Sequence, residues 1–169
     1  MDEDAKRQVL RRIPYGMYVM TSIEAGRPAA STLTWLSQCS FHPPLVMIGV
    51  QTNSRMHEAV EASGAIAVHF LAEGQEDVAE RFFRPPEAED GRLHGLAFEP
   101  GPATGSPVLE GLPAWLEARV TDRVERGDHT VYVCEVVGAG VRNTDFRPLL
   151  LSATPWNYGG RRDPSLRSE

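Results

Sequence analysis

The sequence is poor in cysteine. Cys39 and Cys134 are the only two in 169 residues. They lie far apart, each inside an apolar run, which is poor material for a disulfide framework or a thiolate metal site. Both are expected as reduced core thiols of a cytoplasmic protein. His42, His57, His69, His94 and His129 show no pair at zinc-type spacing with a cysteine or carboxylate, so no metal is expected. Long apolar runs are also missing: nothing approaches the ~20 residues of a membrane span. The charged N-terminus MDEDAKRQVLRR lacks the apolar centre of a secretory signal. Basic charge is short as well, with 17 Lys and Arg against 23 Asp and Glu, a net charge of −6. That balance argues against nucleic acid or an anionic membrane as partner, and any phosphate site must be a local arrangement of donors. Finally, there is no Gly-x-Ser-x-Gly elbow, no Walker-type phosphate loop and no Gly-x-Gly-x-x-Gly after a strand. These absences disfavour nucleophilic hydrolysis, nucleoside triphosphate hydrolysis and a Rossmann dinucleotide site.

What is present reads mostly as strands. Asp2 to Arg12 places acids first and bases later, as a short helix prefers, with Ala5, Val9 and Leu10 available to face inward. Tyr15 to Ile23 is rich in β-formers, Glu24 to Pro28 reads as a turn, and Ala29 onward as a returning strand. Leu45 to Val50 is an apolar run of strand length. Asn53-Ser54 is a helix-start signal, with Met56, Ala59 and Val60 inward and Gly64 as the stop. Ala65 to Leu71 is a further buried strand, and Glu76 to Phe83 a second short helix ended by Arg84-Pro85-Pro86. Glu87 to Pro107, with several glycines, is the least regular part. Ala114 to Val124 then alternates apolar residues with charges, as in a half-exposed strand, and Thr130 to Val141 is more apolar and more central. Strands joined mainly by short turns, without regular strand–helix alternation, exclude a doubly wound sheet. They favour one small antiparallel barrel domain over residues 1–160, with peripheral helices and a polar tail at 161–169.

Two stretches are candidates for holding a ligand. From Ser31 to Ser40, hydroxyls and amides (Ser31, Thr32, Thr34, Ser37, Gln38, Ser40) interleave with Leu33, Trp35, Leu36 and Cys39. That is too polar for an ordinary core strand and too regular for a loop. Downstream, Thr52-Asn53-Ser54-Arg55 gathers hydroxyl and amide donors, a guanidinium and the unpaired N–H groups of a helix start, a combination suited to a phosphate. Alone, the tetrapeptide reads first as a plain helix cap with a surface arginine. The turn after Pro43-Pro44, which lays the following strand beside the donor-rich one, shifts the balance toward an anion site. His129, in Gly127-Asp128-His129, is by itself an ordinary surface histidine, and Trp156 and Tyr158 read as aromatics closing a barrel or an interface.

Taken together, these motifs resemble the flavin reductase-like family, the FMN-binding split barrels. The residues that carry the likeness are Tyr15-Gly-Met-Tyr-Val-Met-Thr21, Ser31-Thr-Leu-Thr-Trp-Leu-Ser-Gln-Cys-Ser-Phe-His-Pro-Pro44, Asn53-Ser54, Gly127-Asp-His-Thr-Val131 and Trp156-Asn-Tyr-Gly-Gly160. The Trp35-to-Ser40 run is similar to the flavoredoxin-like branch. The resemblance implies a mainly β fold, a six-stranded antiparallel split β-barrel, acting as a homodimer with FMN near the subunit interface. It implies flavin contacts from Ser31, Thr32, Thr34, Trp35, Leu36, Ser37 and Gln38, and phosphate contacts from Thr52, Asn53, Ser54 and Arg55. It places His129 beside the reactive face of the flavin, where nicotinamide must stack. Cys134 departs from the family pattern, which often has glycine there. The implied activity is an NAD(P)H:FMN oxidoreductase using NADH or NADPH and supplying reduced flavin or electrons to a partner monooxygenase. An FMN-binding electron carrier without nicotinamide activity and a flavin-free split barrel are the alternatives.

Overall fold

Two residues, Thr34 and Trp35, decide the shape of the main sheet. The computed structural model describes residues 1–84, 88–157 and 161–162. In it, α1 (Glu3–Leu10) is capped by Asp2, whose carboxylate accepts from the Asp4 and Ala5 N–H groups. Strands β1 (Tyr18–Glu24) and β2 (Arg27–Leu33) form a hairpin in which Glu24 pairs with Arg27. Its two-residue turn, Ala25-Gly26, has φ of 47° and 79°, the doubly left-handed turn that matches strand twist. The chain then breaks at Thr34-Trp35 and resumes as β3 (Leu36–Ser40), which pairs with β4 (Leu45–Gln51). Helix α2 (Arg55–Ser63), strand β5 (Ala65–Phe70) and helix α3 (Glu76–Arg81) follow. Next come β6 (Ala88–Glu89), β7 (Arg92–Leu93), β8 (Leu96–Pro100) and β9 (Pro107–Leu109), then the long hairpin β10 (Ala114–Arg126) and β11 (His129–Val141). At the C-terminal end β12 (Trp156–Asn157) pairs with β13 (Arg161–Arg162).

The main sheet has seven strands in the order β2-β1-β5-β10-β11-β4-β3, all paired antiparallel. Its two edge strands are joined by Thr34-Trp35 alone. Laid flat, seven strands would hold their edges about 29 Å apart. Three Cα–Cα steps from Leu33 to Leu36 reach at most about 11 Å. The sheet must therefore roll until its edges nearly meet, with the link as its seam.

Several expectations need correction. The sheet has seven strands, and a second, four-stranded sheet (β6-β7-β8-β9) stands beside it, in place of six strands in all. The polar stretch from Ser31 to Ser40 is two strands because the rolled sheet needs a crossing between its edges, and strand propensity is blind to that. The irregular stretch from Glu87 to Pro107 carries the short strands β6, β7 and β8, since Asp90-Gly91 (φ 48° and 71°) and His94-Gly95 (φ 47° and 84°) are two-residue hairpin turns rather than loop breakers. No residue of α1 is buried, and Val9 is 64% exposed: apolar spacing says which residues share a face, not what covers it. Cys134 is buried, which pushes its thiol up to about 12, but Cys39 is exposed rather than in the core. Of the C-terminal motif, Trp156 is buried, and Tyr158 to Gly160 lie outside the described residues, as does the expected tail beyond Arg162.

One apolar cluster fills the rolled sheet under α2, with Met20, Ile48, Val60, Val68 and Tyr132 among its members. Ser54 and Gly64 bound α2 as the sequence predicts, and Met56, Ala59 and Val60 are its buried residues. A second cluster joins the outside of the sheet to α3 and the small sheet through Leu71, Phe82, Leu109 and Leu149. The fold also buries a carboxylate that alternation places at the surface. The register shift at Glu117/Ala118 in β10 puts both residues inside. Glu117 Oε1 accepts from the Thr104 N–H at 2.8 Å and the Thr104 hydroxyl at 2.7 Å, and Oε2 from the Ala103 N–H at 3.2 Å. It thereby fixes the turn leading into β9. Replacing Glu117 with alanine strands these donors and is expected to cost about 3 kcal/mol, lowering Tm by roughly 6–12 °C for a chain of this size. Scanning calorimetry checks it; a shift under about 2 °C would show the carboxylate to be dispensable.

Candidate functional site

The seam forms one wall of a cavity of about 480 Å³. Ser31 and Thr32 of β2, Thr34 and Trp35 of the link, and Gly49 and Gln51 of β4 line it, together with Asn53, Ser54 and Arg55 at the start of α2 and His129 at the start of β11. The structure therefore brings together eight of the twelve site residues the sequence suggests. Leu36 instead packs against the core. Ser37 and Gln38 are exposed on the edge strand, bonded to the Gln38 and Ser40 carbonyls. Thr52 lies behind the site: its N–H and hydroxyl both donate to the Asp128 carbonyl, at 3.0 and 3.2 Å. That double contact ties the start of α2 to the β10–β11 turn and so holds Arg55 and His129 beside the same space.

Trp35 occupies a fitted place. A Cβ on Gly49 would meet its Cε3 at 2.4 Å, so the indole rests directly on the β4 backbone, where the Gly49 N–H donates to the Trp35 carbonyl at 3.1 Å. The His129 ring packs against the same indole, with centroids 4.5 Å apart and planes tilted by 39°. His129 Nδ1 donates to the Asp128 carboxylate at 2.8 Å, an acceptor-only partner that fixes the proton on Nδ1. The same bond lowers the Asp128 carboxyl below its usual range.

At the other end, Ser54 Oγ accepts the His57 N–H at 3.1 Å and donates to the Gln51 carbonyl at 2.7 Å. Its hydroxyl is therefore committed to capping. The first N–H groups of a helix have no partner within it, so those of Arg55 and Met56, with the Asn53 amide and the Arg55 guanidinium, are the donors a ligand would meet. No ion pair engages Arg55 among the described residues. Backbone N–H groups, an amide and a guanidinium at a helix start are a donor set that fits a phosphate monoester.

Sequence reasoning missed the second wall, made by Phe82, Phe83 and Arg84 after α3. Thr32 holds it: its N–H donates to the Phe82 carbonyl at 3.1 Å and its hydroxyl to the Ala79 carbonyl at 2.7 Å. No local signal marks such a wall, because Arg84 before two prolines reads only as a helix end. Among the described residues, no group of three His, Cys, Asp or Glu is placed to hold a metal ion, and no helix is long and apolar enough to cross a membrane.

A rolled antiparallel sheet enclosing a space at its seam is a ligand-holding architecture. Residues 10–159 match the family described as the flavin reductase like domain, and the chain belongs to that family. It is 34% identical over 127 residues to the NADH:FMN oxidoreductase of Rhodococcus erythropolis, an alignment covering 75% of this chain and 65% of that relative. The chain thus spans just under two thirds of that relative's length. Among solved structures, the NADH:FAD oxidoreductase SgcE6 of Streptomyces globisporus superposes with a TM-score of 0.75 at 29% identity, over 95% of this chain and 91% of that one. The styrene monooxygenase flavin reductase of Pseudomonas putida S12 gives a TM-score of 0.72 at 29% identity, over 86% and 90% of the two chains.

Proposed function

We propose that this chain is an NADH-dependent flavin reductase that holds FMN or FAD in the seam cavity and passes reduced flavin to a partner oxygenase. The observation that carries it is the joining, within one cavity, of a hydroxyl-bearing seam to a helix start bearing Arg55, in a chain of this family. In this reading the rolled sheet is a split barrel. The protein works in the cytoplasm as a homodimer, a state supported by the apolar surface left by Phe41, Met47 and Val137, exposed by 77, 43 and 40%. NADPH remains the alternative donor.

Bound flavin supplies the hydride-accepting chemistry itself. The chain's own work is to bind and orient. Asn53, Arg55 and the first α2 amides hold the phosphate. Ser31 and Thr34 present the hydroxyls of the seam to the ring system, and Thr32 fixes the Phe82–Arg84 wall through its bonds to Ala79 and Phe82. Trp35 shapes the cavity floor, and His129, oriented by Asp128, sits beside the face that nicotinamide approaches. The contacts assigned at first to Leu36, Ser37, Gln38 and Thr52 are supporting ones here: Leu36 anchors the seam in the core, Ser37 and Gln38 shape its edge strand, and Thr52 joins α2 to His129.

The test is flavin absorbance and fluorescence on adding FMN or FAD, followed by NADH and NADPH oxidation with either flavin. Binding together with flavin-dependent NADH consumption is expected; no binding, and oxidation no faster than free flavin, would sink the reading. Arg55→Gln is expected to weaken FMN by about 1.5–3 kcal/mol through loss of a charge-assisted contact, while riboflavin, which has no phosphate, is indifferent. Equal losses for both flavins, measured by fluorescence titration, would make Arg55 structural.

A further inference from the structure

The cavity carries two guanidinium groups on two different walls. In a chain of net charge −6, none of its lining residues is Asp or Glu, and two are arginines. Arg55 stands at the start of α2 and Arg84 on the separate wall after α3. Neither enters an ion pair among the described residues, and both are exposed. Arg84 is not on a loose end. The Thr32 bonds to Ala79 and Phe82 pin the chain two residues before it. His94 packs edge-on against Phe82 with centroids 5.1 Å apart, and Phe83 packs edge-on against Trp156 at 4.9 Å.

Two guanidinium groups on two walls match a ligand whose phosphates lie apart or in a chain. A single FMN phosphate seated at the start of α2 leaves the Arg84 wall without a role. We infer that Arg84 receives the second phosphate of a dinucleotide, and that with Phe83 beside it this wall lets the cavity prefer dinucleotides over mononucleotides. The inference rests on the cavity being the nucleotide site proposed above. A pyrophosphate can be brought by FAD or by NADH, and the recognising chemistry is the same for both.

The experiment compares the full chain with Arg84→Gln and Arg84→Lys. Riboflavin, FMN and FAD are titrated by fluorescence quenching. NAD⁺ and nicotinamide mononucleotide are titrated by calorimetry on the FMN-loaded protein, and melting temperature confirms folding. If FAD brings the second phosphate, Arg84→Gln weakens FAD by about tenfold, as loss of one charge-assisted contact predicts, and leaves FMN within about twofold. If the nicotinamide nucleotide brings it, the same loss appears for NAD⁺ and not for the mononucleotide. Arg84→Lys keeps part of the affinity in either case. Unchanged FAD and NAD⁺ affinities, or equal losses for FMN and FAD, overturn the inference while leaving flavin binding standing. A parent protein that binds none of these ligands removes the nucleotide reading and the inference together.

Discussion

Gly49→Val is expected to abolish flavin binding while leaving the chain folded. The indole of Trp35 lies where the new side chain must go, 2.4 Å from the position of its first carbon, and the neighbour on the other side is the His129 ring. The indole must shift, and because both it and the His129 ring it packs against line the cavity, the shift distorts the binding space. Overpacking of this kind costs about 1–3 kcal/mol of stability, a cost the fold can bear, whereas the distortion falls on the binding space itself. Fluorescence titration with FMN checks the first half of the expectation, and urea denaturation the second. The pair Trp35→Ala with Gly49→Val supplies the control. Removing the indole relieves the crowding, so the double variant should be more stable than Gly49→Val alone, a non-additivity expected of residues in contact. Additive losses would mean the indole does not rest on Gly49.

His69→Leu is expected to remove a large part of the acid sensitivity of the fold. His69 is fully buried. Its Nδ1–H donates to the Val19 carbonyl at 2.9 Å, and its Nε2 accepts the Leu109 N–H at 2.9 Å. Both nitrogens are thus occupied by partners that require the neutral ring. Burial, partly opposed by the Val19 bond and helped by the nearby charge of Arg142, lowers its pKa from 6.5 to about 4. Above pH 6.5 the ring is neutral whether the chain is folded or not, and the full stability is present. As pH falls from 6.5 toward 4, the unfolded chain takes up a proton that the folded site refuses. Stability then drops by up to about 1.4 kcal/mol per pH unit, about 3 kcal/mol in all. Below pH 4 the folded ring protonates too, and this group adds no further loss. The leucine variant should start about 2–4 kcal/mol less stable, with Leu109 N–H and the Val19 carbonyl unpaired, yet lose less than the parent on going from pH 7 to pH 4.5. Parallel pH profiles in urea denaturation would show that His69 is not the sensor.

The two variants also mark what can be read from sequence. The ends of α2 were legible because capping is local: Ser54 and Gly64 do their work within one turn of the helix they bound. The long β10–β11 hairpin was legible for a similar reason: two strand-forming runs flank Glu125 to His129, and in the fold the strands extend until only Gly127-Asp128 separates them. The family likeness was carried by motifs spread over most of the chain, and it holds over residues 10–159. What escaped depends on partners distant in sequence. The break at Thr34-Trp35 answers a closure imposed by seven strands together. The burial of Glu117 follows from a register shift that alternation cannot anticipate. The wall carrying Arg84 exists because Thr32, 52 residues earlier in the chain, reaches the end of α3.

The seam has one more consequence. The two residues that close the rolled sheet also line the cavity, so closing the fold and enclosing a ligand share the same piece of chain. Without a ligand, the link at Thr34-Trp35 is where the roll can open with least loss, since it crosses between two edges instead of lying between two paired strands. A bound ligand acts there as a clasp. Its binding energy is spent in part on suppressing local opening, and release of the ligand and breathing of the rolled sheet become one motion.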